Sequence, residues 1–249
     1  MALFTGTNLI DLDSADSTNN YALNLLKEKQ PFEGTVVRTF RQSLGRGQRQ
    51  KQWDSEDFSN LTFSIIYYPV FLSVNKQFQL SKAIALGVTD FVKSIVKKEP
   101  VKVKWPNDIY VGDKKIAGIL IENSVSGTKI SSAVIGIGLN INQTIFSPEI
   151  PNAVSLKMIT GKDMDLESCF QQLCVSLEVR YMQLKAGNEK LIDELYHNTL
   201  FGLNEEREFM IGNKHIFAKI IGVDDLGRLK LNEGLFVNAY DLHHVVFRI

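Results

Sequence analysis

Residues 80–98 read LSKAIALGVTDFVKSIVKK, with Leu80, Ala83, Ile84, Gly87, Val88, Phe91 and Ile95 at helical spacing. A stripe of this kind has to be buried, so the chain contains an amphipathic helix with a partner surface against it. β-rich runs stand on either side. Before it, LTFSIIYYP (61–69) alternates, bringing Leu61, Phe63, Ile65 and Tyr67 onto one face. After it, VKVKW (101–105) sets Val101, Val103 and Trp105 on one face and Lys102 and Lys104 on the other. Pro106 has no N–H to donate and ends that ladder. A stiff strand end thus presents one ammonium, Lys104.

The remaining elements follow from similar signals. Thr18–Lys29 reads as a helix capped by Ser17 or Thr18, and GTVVRTF (34–40) as a strand. A hairpin through VGDKK leads to strands at 116–122 and 130–141, followed by helices near 165–186 and 188–200. From about residue 201 the chain changes to short strands with an Asp-Leu-Gly turn, which reads as a small β-barrel. The expected division is 1–200 and 201–249.

Composition narrows the function. Lys+Arg and Asp+Glu are both 28, so zero net charge argues against general nucleic-acid coating and polybasic membrane contact. No apolar run approaches ~18 residues, and the N-terminus lacks a basic-then-apolar signal. The two cysteines, Cys169 and Cys174, are five apart in a helical stretch and read as reduced core thiols of a cytoplasmic protein.

Between two strands lies RQSLGRGQRQKQWDSEDFSN (41–60), polar, basic and long for a connection inside a domain. GRGQRQK (45–51) is neither a Walker A loop nor a dinucleotide fingerprint. It reads either as an exposed basic loop or as an anion loop, with glycine N–H groups backed by Arg46, Arg49 and Lys51. Trp53, in so polar a segment, suits stacking on a planar ligand. In GIGLNIN (136–142), Gly136 and Gly138 share a face without side chains, where a helix could pack or a flat ligand could lie. His243 and His244 are expected on opposite faces of a strand, and no metal-ligand spacing occurs. The site offers cations, glycines, amides and aromatics but no evident nucleophile or base. That suits a reaction whose nucleophile arrives with the substrate.

STN (17–19), Q-x-x-GRG-x-x-x-x-x-W (42–53), KWPND (104–108), KIAG (115–118) and GIGLNIN, in this order and spacing, resemble the biotin protein ligases across roughly residues 10–249. The resemblance implies an α+β fold: a central mixed sheet flanked by helices, with a C-terminal SH3-like barrel. It implies activation of biotin with ATP and Mg2+ to biotinyl-5′-AMP, then transfer to one lysine of a biotin carboxyl carrier protein, of acetyl-CoA carboxylase or a related carboxylase. By resemblance, Lys104 and Arg46 are catalytic, and Ser17, Thr18, Asn19, Gln42, Gly45, Arg46, Lys104 and Gly118 hold biotin. Gln48, Arg49, Lys51, Trp53, Asn107, Asn140 and Ala153 would face ATP or the adenylate. No protein metal ligand is expected, since magnesium would sit among phosphates and water.

That chemistry accounts for the missing nucleophile. An ionised biotin carboxylate attacks the α-phosphorus unaided, and the protein supplies positioning and positive charge. Many relatives read GRGR, whereas this chain has Gln48 in the fourth position and Gln50 where glycine is common; its tail lacks the usual late Gly-Glu. No helix-turn-helix domain fits before residue 10, so operator binding is not expected. A weak homodimer is. Two rivals stand beside this reading. A lipoate or octanoyl transfer enzyme would want an Arg-x-Ser-Gly-Gly-Gly loop or a site cysteine, and a non-catalytic biotin-binding module would lack the cations.

Overall fold

The structure is a computed structural model that describes residues 2–48 and 52–247. The chain runs β1 (Leu9–Leu12), α1 (Thr18–Glu28), β2 (Val36–Thr39), β3 (Gly45–Arg46), β4 (Gln52–Trp53), β5 (Leu61–Tyr67) and α2 (Gln77–Ile95). β6 (Val101–Lys104), β7 (Asp108–Val111), β8 (Lys114–Ser126), β9 (Lys129–Leu139), α3 (Leu156–Thr160), α4 (Leu166–Lys185) and α5 (Glu189–Thr199) follow. The tail forms β10 (Glu206–Ile211), β11 (Lys214–Val223), β12 (Leu229–Asn232), β13 (Val237–Tyr240) and β14 (Val245–Phe247).

The main sheet has seven strands in the order β1-β2-β5-β9-β8-β7-β6. β1 and β2 are parallel and every other neighbouring pair is antiparallel, so the sheet is mixed as expected. One face is covered by α2 and α4, and α1 covers part of the other, over β2, β5 and β9. Val36, Ile65 and Ile135 belong to the large core with α2 and α4, whereas the adjacent Val37, Ile66 and Val134 pack under α1 with Ala22 and Leu25. Successive residues enter opposite cores because strand side chains alternate. β5 is therefore buried at all seven positions, since α1 covers the face opposite Leu61, Phe63, Ile65 and Tyr67.

The stripe at 80–95 is buried, Ile95 only partly, but so are all the other positions from Lys82 to Thr89, because α4 and α5 as well as the sheet pack around α2. Gly87 lets α2 approach α4 closely: a Cβ there would lie 2.9 Å from Leu177 Cα and 3.0 Å from Leu177 Cδ2. Gly87→Val should therefore destabilise the fold by about 1–3 kcal/mol, because packed helices relax poorly around an added side chain. A lowered urea midpoint at unchanged slope is the expected reading.

The tail forms a five-stranded antiparallel sheet, β13-β12-β11-β10-β14. Among the described residues β13 and β14 do not pair, so the sheet does not close into the expected barrel. Its inner residues, including Phe209, Ile220, Leu229 and Val245, join the large core. Trp105 fastens the two sheets together, its indole N–H donating to the Gly227 carbonyl at 2.8 Å. His243 and His244 are not strand residues: they lie exposed on a 3-10 turn, Leu242–His244, before β14. Among the described residues, no helix is long and apolar enough to cross a membrane.

Candidate active site

A cavity of about 420 Å3 opens over the middle of the main sheet, where β8 and β9 meet α1, the β3–β4 ribbon and β6–β7. It gathers Ser17, Thr18, Asn19, Gln42, Arg46, Gln48, Trp53, Lys104, Asn107, Gly118, Asn140 and Ala153. Gly45 does not line it. That residue lies buried under the ribbon, where a Cβ would meet the Trp53 carbonyl at 2.3 Å. Arg49 and Lys51, like Gln50, lie outside the described residues.

One end of the cavity is a buried polar cluster at the start of α1. Ser17 caps the helix, accepting from the Asn20 N–H, while the Thr18 N–H donates to Gln42 Oε1 at 3.0 Å. Ser64 of β5 sits 2.7 Å from Thr18 Oγ1 and 2.6 Å from Asn19 Oδ1. A hydroxyl has one proton, so Ser64 donates to one of them at a time. The Asn19 amide donates to Glu122 Oε2 at 2.8 Å and covers Gly136, whose Cβ would strike Asn19 Oδ1 at 2.2 Å. Helix packing is therefore what Gly136 permits.

The floor behaves differently. A Cβ on Gly138 would fall 2.2 Å from Trp53 Cε2, and one on Gly118 3.0 Å from Trp53 Cζ3. The flat group lying on these glycines is the indole of Trp53, with its Nε1 buried and without a hydrogen-bond partner. Asn140 donates to the Val154 carbonyl at 3.0 Å, but its Oδ1 is likewise buried and unpartnered. Asn107 pins the turn after β6, donating to the Ile119 carbonyl at 2.6 Å. The polar loop holds more apolar surface than its composition suggests: Trp53 rests on the floor and Phe58 stacks on Phe40 at 5.9 Å.

Among the described residues three cations face the cavity. Lys104 is half-buried at the end of β6, as strand alternation requires, with Nζ 3.3 Å from the Tyr110 hydroxyl and 5.1 Å from the Phe247 ring centroid. Burial, then the charge of Asp108, pushes the Tyr110 phenol well above its usual range, so it stays protonated. Arg46 donates to Asn20 and, at 2.7 Å, to Glu122. Hydrogen bonds from the Asn20 side chain and then the Ser17 N–H hold neighbouring Asp16 below the ordinary carboxylate range. Lys115 completes the set: its Nζ pairs with Asp108 at 2.7 Å and lies 5.5 Å from the Trp53 ring centroid.

Lys115, Asp108, Glu122 and Ser64 were not singled out from the sequence. Lys115 stood inside KIAG, but only the fold of β8 over the ribbon turns it toward Trp53. Among the described residues no histidine or cysteine lines the cavity. Cys169 and Cys174 are buried in α4, where burial pushes their thiols up to about 11 and about 12. The site therefore offers positive charge, a flat apolar floor and a fixed polar cluster. It is equipped to hold a planar ligand bearing an anionic group and to bring two anions together.

Comparison with known proteins agrees with that geometry. The sequence model of the biotin/lipoate A/B protein ligase family matches residues 12–140. The chain is 31% identical to the bifunctional ligase/repressor BirA of Bacillus subtilis, over 92% of its own length and 71% of that protein. It is 28% identical to the biotin--[acetyl-CoA-carboxylase] ligase of Mycobacterium tuberculosis, over 92% of its own length and 86% of that enzyme. The biotin protein ligase of Aquifex aeolicus, solved in complex with biotin and ATP, superposes with a TM-score of 0.81 at 28% identity, covering 97% of this chain and 99% of that one. Motif order, mixed sheet and cationic cavity converge with these matches, and the chain belongs to the biotin/lipoate A/B protein ligase family.

Proposed function

We propose that the protein joins biotin to ATP, forming biotinyl-5′-AMP and pyrophosphate, and then transfers biotin to a lysine of a biotin carboxyl carrier protein. The observation that carries this reading is the convergence of Lys104, Lys115 and Arg46 on a cavity floored by Gly118 and Gly138. In the first step a carboxylate oxygen bonds to the α-phosphorus and the bond to pyrophosphate breaks. Both partners are anions, so fixed cations at the junction lower the barrier most. Lys104 and Lys115 serve that junction in this reading, and Arg46 exchanges Glu122 for the ligand's charge.

Ser17, Thr18, Asn19 and Gln42 take the ureido ring, and Gly118 lines the slot beside it. Trp53 moves from the floor to stack on the adenine, bordered by Asn107, Asn140 and Ala153, and the orphaned Asn140 Oδ1 accepts an N–H of the base. Magnesium would enter with the nucleotide, held largely by phosphates and water, and would supply further positive charge there; the carboxylates that line the cavity are Asp54, Asp108 and Glu149. The division at residue 201, with the tail as an SH3-like unit completing the site, belongs to the same proposal.

The family includes lipoate ligases, and the relatives' names favour biotin. Supplying biotin or lipoate in turn with ATP, and measuring pyrophosphate, separates the two.

Gln48 gives a graded test, because it lines the cavity. An arginine there adds a charge-assisted hydrogen bond to the adenylate phosphate, worth roughly 1.5–3 kcal/mol at most. Gln48→Arg should slow release of pre-formed biotinyl-AMP in a chase by at least several-fold, with biotin binding alone unchanged, since changes of this kind appear mainly in dissociation.

A further inference from the structure

A second cavity, of about 460 Å3, lies between the main sheet and the C-terminal sheet. Gln48, Trp105, Pro106, Asn107, Ile119 and Leu242 line both cavities, so the two spaces abut. Its inner wall includes half-buried Phe78, Ser81 and Ile121, and its exposed rim carries Leu226, Asp241 and the His243–His244 pair. The charge differs from that of the first cavity. Among the described residues no lysine or arginine lines it, and its one formal charge is the Asp241 carboxylate. An apolar wall with an acidic rim complements a long aliphatic stem bearing an ammonium, and it opposes an anion such as departing pyrophosphate.

We propose that this second cavity is the port through which the acceptor's lysine side chain reaches the acyl-adenylate, an inference that rests on the ligase reading above. The ammonium loses a proton to water at the rim. Its nitrogen then bonds to the acyl carbon, the carbon–oxygen bond to phosphate breaks, and AMP departs with that electron pair. The second nitrogen proton leaves to water, giving the amide.

The two half-reactions provide the test. Ser81→Trp fills the port from α2, and Leu226→Arg sets a cation on its rim in an exposed turn. Neither residue lines the first cavity. Single-turnover transfer from pre-formed biotinyl-AMP to a biotin carboxyl-carrier domain should slow about tenfold or more in Ser81→Trp. In Leu226→Arg it should slow about threefold to tenfold. Pyrophosphate release should keep its rate in both variants, and hydroxylamine, small enough to bypass a filled port, should capture the acyl group from Ser81→Trp as fast as from the unaltered protein. Unaltered transfer in either folded variant overturns the port. So does slowing of pyrophosphate release in step with transfer, which would mark the space as part of the adenylation site or the pyrophosphate exit. Should the unaltered protein release no pyrophosphate with biotin, the ligase reading fails first and the port falls with it.

Discussion

Lys104→Ala will lower biotinyl-AMP formation by about two to three orders of magnitude in a protein that remains folded. β6 holds the residue between buried Val103 and Trp105, so its ammonium is fixed without costing further side-chain ordering at the moment of reaction. Folding should tolerate the change because the side chain is only half-buried and faces the cavity rather than the core. The loss should appear mainly in kcat, since charge on the α-phosphorus grows toward the transition state. Single-turnover pyrophosphate release, with circular dichroism to verify folding, measures it. A folded variant with near-normal turnover would remove Lys104 from the chemistry.

Lys115→Ala should cost a comparable two to three orders, about the effect of removing one fixed charge, and in a different manner. Lys115 is paired with Asp108, so its removal leaves a carboxylate uncompensated beside the phosphate. That anion opposes both reactants, and KM for ATP should rise along with the fall in kcat. In Lys115→Ala with Asp108→Asn, the KM effect should largely vanish while the kcat loss persists. If the double variant recovers kcat, Lys115 acts by neutralising Asp108 and not on the substrate.

The contrast between these lysines shows what the sequence carries. Lys104 was legible because strand alternation and Pro106 fix its direction locally. Lys115 was not, because a lysine in a hairpin reads as solvated until β8, the ribbon and Trp53 are brought together. Ser64 carried no local signal either: only the packing of α1 on β5 buries it fully between Thr18 and Asn19. The glycine pair divided between its two readings: Gly136 admits a helix side chain, and Gly138 admits a flat ring that belongs to the protein itself. The change to short strands in the tail was readable from turns and alternation. Closure was not, since pairing of β13 with β14 depends on curvature accumulated over the whole sheet.

Pyrophosphate release by the purified protein with ATP, Mg2+ and each candidate acid tests biotin activation most directly. Release is expected with biotin, with a stoichiometric burst of enzyme-held biotinyl-AMP and sustained turnover once a carboxyl-carrier domain is supplied. Absence of biotin-dependent pyrophosphate, or equal release with lipoate, would contradict it.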